Sequence, residues 1–420
     1  MQSVRLPHTA IVVGAGVVGT ACALNLQLRG VQTRLVDPVS VRRAASWGNA
    51  GHIAVEQVEP LASLATLCSV PRRLFWRGGA LSLPLRDIGA WAPFALRMTA
   101  ASGPARHARG RAALSPLLAT AVEAWRRLLA EAGADDLLRE QGHFVVWESA
   151  ASATAGRAAW RRADIGTAKL RDVTAEEMQT LQKLVKRPLA GGTRFFGSAQ
   201  IADLGEMAEA LTRRFEQVGG RQVRARADAV QIDGGASLRL QGGEVLEADA
   251  LVVAAGVGSA RLLEPLGYRV PIIAERGYHI QSEGEAWPLD LPPVVFEDRS
   301  LIVTRFRSGL RAASFVEFGR EDSPPDPRKW VRLRDHARAL GLPFAEGTSE
   351  WMGARPTLPD YLPAIGRSRR ANNLFYAFGH QHLGLTLAAT TGETIAAMVM
   401  GEAPQIDPAS FDIERFGKIT

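Results

Sequence analysis

Apolar positions open the chain as a strand, Thr9-Ala10-Ile11-Val12-Val13, run into Gly14-Ala15-Gly16-Val17-Val18-Gly19, and continue with helical spacing through Leu28. Gln32-Thr33-Arg34-Leu35-Val36 reads as a second strand, closed by Asp37. Residues 61–100 are apolar, interrupted by prolines and irregular. Leu117, Leu118, Val122, Trp125 and Leu129 recur at helical spacing and predict one amphipathic helix over 114–132. A strand is expected at 142–147, then a charged helical stretch to about 200 with a turn at Ala190-Gly191-Gly192. A helix over 204–219 precedes short alternating runs at 221–232, 237–240 and 244–246, which predict an antiparallel meander. Asp249 to Gly256 reads as a buried strand ending in glycine, followed by a helix over 259–266, a β-rich region over 270–320 and a strong helix over 383–401.

The opening unit has the register of a dinucleotide-binding βαβ fold. Gly14 permits the tight turn, Gly16 lets the backbone approach a pyrophosphate, and Gly19 lets helix meet strand closely. Val17 and Val18 begin the helix whose N–H groups and dipole favour phosphate, and Asp37 is placed to accept ribose hydroxyls. The motif leaves FAD and NAD both open. A second strand-to-glycine unit at Ala255-Gly256, so far along the chain, implies a dinucleotide domain interrupted by another domain.

The chain has 420 residues, 46% of them hydrophobic, enough for two domains or one elaborated α/β unit. Two cysteines, Cys22 and Cys68, cannot build a disulfide framework and fit a reducing compartment. The start Met1-Gln2-Ser3-Val4-Arg5 leaves no room for a secretory leader, and no apolar run is long enough to span a membrane, so a cytoplasmic protein is expected. The net charge of +7 comes chiefly from scattered arginine pairs such as Arg42-Arg43, Arg72-Arg73 and Arg369-Arg370, without a nucleic-acid motif. Solvated faces account for them. In residues 61–100, Leu74-Phe75-Trp76, Trp91 and Phe94 alternate with Arg72, Arg73, Arg77, Arg86 and Arg97, which adds a peripheral contact with the inner membrane face as a further reading.

Four segments together carry a family resemblance: the opening unit; the small-residue loop Ala45-Ser46-Trp47-Gly48-Asn49-Ala50-Gly51-His52; Leu251 to Gly256; and a C-terminal block running from Gly353-Ala354-Arg355-Pro356 through Gly366 to Phe378-Gly379-His380-Gln381-His382-Leu383-Gly384-Leu385-Thr386. In these the chain resembles the D-amino acid oxidase and dehydrogenase (DAO) family of FAD-dependent oxidoreductases, which includes glycine and sarcosine oxidases. The 61–100 insertion and the Ser46–Gly51 loop are similar to the D-amino acid dehydrogenases, and Gly379-His380-Gln381-His382 most resembles their D-hydroxyproline dehydrogenase branch. The resemblance implies an α/β fold. Its Rossmann-like FAD-binding domain (1–60, 200–270 and 345–420) would be interrupted by an α+β substrate domain with an antiparallel sheet (61–199 and 271–344). It also implies oxidation of a D-amino or D-imino acid, with D-proline and cis-4-hydroxy-D-proline as candidate substrates. Electrons would pass to a quinone or an electron-transfer partner; the alternative is a glycine or sarcosine type oxidase that makes peroxide.

Arg355 matches the family's substrate arginine and suits a carboxylate, because a guanidinium binds it bidentately and stays charged. Arg305 and Arg307 are rival anchors. Tyr278 is either a second donor to the carboxylate or a half-buried strand tyrosine. Cofactor contacts are expected from Gly14, Gly16, Val17, Val18, Gly19, Asp37, Ser46, Asn49, Ala50, Gly51, His52, Ala255, Gly256, Gly379, His382, Leu383, Gly384 and Thr386. The turn before the last helix would face the flavin C2 carbonyl. His380 and His382 would add charge there or line the substrate pocket, and His52 is a flavin contact or an ordinary loop histidine. No cysteine or acid beside His380 and His382 completes a metal set, so no metal is expected. No cysteine lies beyond Cys68, so the C-terminal thiol with which some sarcosine-oxidising relatives tether FAD has no counterpart, and the resemblance implies noncovalent FAD.

Overall fold

The computed structural model describes residues 6–38, 44–283, 286–345 and 347–417. The Met1–Arg5 start and the Arg42-Arg43 pair lie outside them. The first strand, β1 (Thr9–Val13), feeds through the glycine turn into α1 (Val17–Leu28) and returns as β2 (Gln32–Val36). A six-stranded sheet forms around this unit in the order Arg221–Val223, β2, β1, Ala250–Val253, Leu374–Phe378, Ala364–Arg367, antiparallel only at the last pair. Strand order reverses beside β1, so the loops after β1 and after Ala250–Val253 open one crevice at their carboxyl ends, where such sheets bind dinucleotides. Arg221–Val223 therefore joins the parallel sheet, and the meander keeps only Ala227–Asp233, Gly235–Leu240 and Val245–Glu247.

A nine-stranded, largely antiparallel sheet forms the second layer. From one edge run Ser349–Thr357, Ile273–Ser282, Gly309–Gly319, Leu301–Phe306 and Val294–Phe296; then come His143–Trp147, Gly191–Phe196 and Lys169–Asp172, and the ninth strand, Leu81–Ser82, pairs off this path with Gly309–Gly319. Gly191–Phe196 is a strand rather than part of a turn, because Gly191 and Gly192 pair with Trp147 and Val146. The Arg355-bearing strand Ser349–Thr357 lies in this sheet, and the chain crosses back to the dinucleotide sheet only at Ala364.

The helix expected over 114–132 is broken at Thr120 into Pro104–Ala119 and Ala121–Glu131. Buried Trp125 fixes the second of these by donating its indole N–H to the Leu385 carbonyl at 2.8 Å. The irregular 61–100 region contains the helices Leu64–Arg73 and Ile88–Ala101, which carry Pro71 and Pro93. The last helix, Gly384–Val399, is buried almost all round among α1 and Ala121–Glu131.

Candidate active site

A cleft of about 1960 Å³ reaches from the Gly14 turn to the Arg355 strand, roughly twice the ~1,000 Å³ upper range of small-ligand sites. At its dinucleotide end Gly14 sits at φ +106°, where a Cβ would lie 2.5 Å from the Ala254 carbonyl oxygen. Gly16 differs: a Cβ there would meet nothing nearer than Ala44 Cβ at 3.6 Å, so the space beside it is open cleft. Gly16 is also the N-cap of α1, whose first turn has no acidic side chain. Asp37 closes the turn by accepting the Ala15 N–H at 2.8 Å, and the Ser46 hydroxyl accepts the Val17 N–H at 3.2 Å. Across the crevice, Gly256 takes φ +58°, and a Cβ added there would meet no described atom within 4 Å; Ala255 lines the wall beside it.

At the other end Arg355 stands opposite Glu275 in the sheet register. Its Nη1 donates to Glu275 Oε1 and to the Phe315 carbonyl, each at 3.2 Å, while Nε and Nη2 carry no hydrogen bond among the described residues. Buried Glu275 is held in turn by the hydroxyls of Thr357 and Tyr361, each donating at 3.1 Å. Phe315 and Val316 bulge opposite Gly277, and Phe315 adopts φ +72°, an uncommon conformation for a side-chain-bearing residue. The bulge turns the Phe315 carbonyl toward the guanidinium. Gly277 leaves room for it, since a Cβ there would lie 2.2 Å from Nη2. Of the three arginines considered as anchors, only Arg355 lines the cleft. Arg305 donates to the Phe306 carbonyl, and Arg307 is paired with Asp136 and Glu206.

Residues 9–398 match the DAO family, described as FAD dependent oxidoreductase. The chain belongs to that family. It is 31% identical over 421 residues to the D-amino-acid oxidase of Bradyrhizobium diazoefficiens, covering 97% of this chain and 99% of the relative. It is 30% identical to D-amino acid dehydrogenase 2 of Pseudomonas aeruginosa, covering 94% and 96%. Among solved structures, glycine oxidase from Geobacillus kaustophilus aligns with a TM-score of 0.72 at 21% identity, covering 97% of this chain and 98% of that one, and so shares the fold.

The DAO-family cofactor, FAD, fits the residues present. Open space beside Gly16, the acid-free first turn of α1 and the unfilled wall at Gly256 form a cradle that added Cβ atoms would enter. Gly14, Val17, Val18, Asp37, Ser46, Asn49, Ala50, His52, Ala255, His382 and Gly384 line the same cleft. Gly19, Gly51, Gly379, Leu383 and Thr386 do not line it. Gly19 supports the turn, Gly51 packs beneath Phe306, and the Thr386 hydroxyl accepts the Ala54 N–H at 3.0 Å. Gly19, Gly51 and Thr386 thus support the residues that line the cleft.

The Tyr278 hydroxyl donates to Glu317 at 2.8 Å and accepts the Asp326 N–H, inside a buried network with Arg276 and Lys329. Bonding a substrate carboxylate would require that network to open. His380 bonds the Thr391 hydroxyl at 3.0 Å inside the final helix, and His382 bonds Gln57. Burial pushes His380 down to about 3 and His382 down to about 4, so both are neutral at physiological pH. The charge expected of them is therefore absent, and the positive groups at this end of the cleft are the Arg355 guanidinium and the N-terminal end of the last helix.

Buried histidines make stability pH-dependent. Burial, helped by Arg311, also pushes His279 down to about 3. An unfolded histidine titrates near ~6.5, so between the two values the unfolded chain binds the extra proton and stability falls as pH falls. Each of His279 and His380 is expected to remove about 1.4 kcal/mol per pH unit below ~6.5. Denaturant unfolding across this range should show a slope at least as steep as these two contributions together, since His382 acts in the same direction, and a flat profile would contradict the neutral, buried assignment.

Proposed function

We propose that the chain oxidises a D-amino or D-imino acid at Cα, with D-proline and cis-4-hydroxy-D-proline as the narrower candidates. The Nε/Nη2 edge of Arg355, a residue that lines the cleft, has no hydrogen bond among the described residues, and it carries this reading. It offers two parallel donors to a substrate carboxylate while Nη1 is held by Glu275 and Phe315. Fixing the carboxylate sets the orientation of Cα, and orientation alone supplies a large part of the rate in such reactions. Bound FAD supplies the two-electron acceptor for the hydride leaving Cα. No protein base is needed if the amine arrives neutral, and the imine product is released for hydrolysis or persists as a pyrroline. Neither cysteine lines the cleft, which supports noncovalent FAD.

The acceptor is proposed to be a quinone or electron-transfer partner at a peripheral membrane contact. Leu64, Trp76, Leu85, Ile88 and Leu96 are exposed in the arginine-containing 61–100 region, which supports this placement. Phe75 and Phe94 are buried instead, and Trp91 is half-buried with its indole N–H donating to the Pro84 carbonyl. Among the described residues no helix is long and apolar enough to cross a membrane. The oxidase alternative draws support from the oxidase named among the relatives.

FAD-loaded protein mixed anaerobically with D-amino and D-imino acids should lose its visible flavin absorbance, and L enantiomers should leave it. Reoxidation should be faster with a quinone in anionic vesicles than with oxygen. Rapid peroxide formation would select the oxidase, and absence of bleaching by every D substrate would refute the proposal.

A further inference from the structure

His52, Glu56 and His143 meet in the cleft wall, each offering a ligand atom, with all three atoms within 4.8 Å of one another. His52 and Glu56 are neighbours at i and i+4, and His143 comes from a distant part of the sequence. His52 lies on the short strand His52–Ile53, Glu56 in the loop after it, and His143 at the start of His143–Trp147. His52 Nε2 bonds Glu56 Oε1 at 3.0 Å, yet Glu56 Oε2 and His52 Nδ1 are buried with no hydrogen-bond partner among the described residues. Glu56 is 3% exposed, so its second oxygen is shut off from solvent as well. Buried polar atoms are rarely left so, and a bound ion is one recognised reason.

His143 is already oriented. Its Nδ1 bonds the Ser198 hydroxyl at 2.9 Å, its ring stacks on Phe195 with centroids 4.4 Å apart, and the His52 ring meets its edge at 4.5 Å. With Nδ1 so engaged, Nε2 is the ring nitrogen left for the cluster. Fixing one imidazole nitrogen so that the other can ligate is how outer-shell partners prepare a metal-binding histidine.

We propose that His52, Glu56 and His143 form a binding site for one divalent transition-metal ion of the Zn²⁺ class in the wall of the cleft. Two imidazoles and a carboxylate are a donor set suited to that class, and three protein ligands leave a position open toward the cleft for water or a donor atom of a bound molecule. Metal–ligand bonds of ~2.0–2.2 Å put tetrahedral donors about 3.4 Å apart. His52 Nε2 and Glu56 Oε1, 3.0 Å apart, would have to separate by only about 0.4 Å. Closing the widest gap takes a shift of roughly 1.4 Å, within reach of the soft terminal torsions of glutamate and histidine. The charge balance agrees, because a cation would replace the missing partner of Glu56 Oε2.

The test is equilibrium dialysis of the FAD-loaded enzyme against Zn²⁺ alone, with metal and flavin quantified per chain. One Zn²⁺ should be retained, and Glu56→Gln and His143→Gln should each weaken retention at least tenfold at unchanged flavin content. Zinc-edge X-ray absorption on the wild-type enzyme should report two imidazole ligands, a readout that does not depend on the variants folding. Failure of the wild-type enzyme to retain stoichiometric Zn²⁺ would overturn the proposal. So would equal retention by the folded variants, or a zinc shell without imidazole.

Discussion

Arg355→Ala is expected to lower kcat/KM for the D substrate by roughly 10²–10⁴-fold, because two charge-assisted hydrogen bonds to a carboxylate carry about 1.5–3 kcal/mol each. Alanine would also leave Glu275 with only the Thr357 and Tyr361 hydroxyls, so part of the loss would reflect a disturbed sheet. Arg355→Lys separates the two effects. It keeps a cation near Glu275 but loses the flat, two-pronged donor edge, so flavin content should hold while KM rises. Gly277→Ala should mimic the defect without touching charge, since its Cβ would enter the space of Nη2. Arg305 and Arg307 variants should leave kcat/KM unchanged, because their guanidinium groups are held by the Phe306 carbonyl and by Asp136 and Glu206. Steady-state kinetics on flavin-matched samples decides the matter: an unchanged kcat/KM in Arg355→Lys and Arg355→Ala would remove the arginine from the carboxylate site.

The parts of this architecture that are local in sequence are readable from it. The Gly14 turn, Asp37 and the last helix each announce themselves by spacing, and they stand where those spacings predict. Pairings across long sequence separations are not readable in this way. Arg221–Val223 looks like the first limb of a hairpin, but it satisfies its backbone along β2. Glu275 carries no motif, and it matters only because sheet register sets it opposite a residue 80 positions later. The same holds for Phe315, whose conformation follows from the bulge opposite Gly277 and leaves no compositional mark. His52 is legible as a loop histidine, whereas its neighbours Glu56 and His143 are not, because the cluster exists only after folding. Gly277 is the available signal, a glycine inside a strand beside the expected Tyr278, since strand glycines often mark bulges or close approach.

The same reasoning divides the glycines of the first turn into two kinds. Gly16→Val should fold yet purify nearly colourless. A branched side chain there meets little protein at its Cβ, and its further carbons point the cost at the ligand that fills the cradle. Obstructing phosphate approach should weaken FAD binding by at least ~100-fold, about 2.7 kcal/mol. Gly19→Ala should instead injure the fold, since its Cβ would lie 1.8 Å from the Gly14 carbonyl oxygen, a backbone atom that cannot move without parting α1 from β1. Thermal melts of the flavin-free forms and flavin titrations separate the outcomes. Gly16→Val should melt near the wild-type apoprotein and bind FAD poorly, whereas Gly19→Ala should melt early or fail to accumulate. If Gly16→Val instead retained full flavin, the cradle would not be the pyrophosphate site, and the N-terminus of α1 would have to serve only the packing of the sheet.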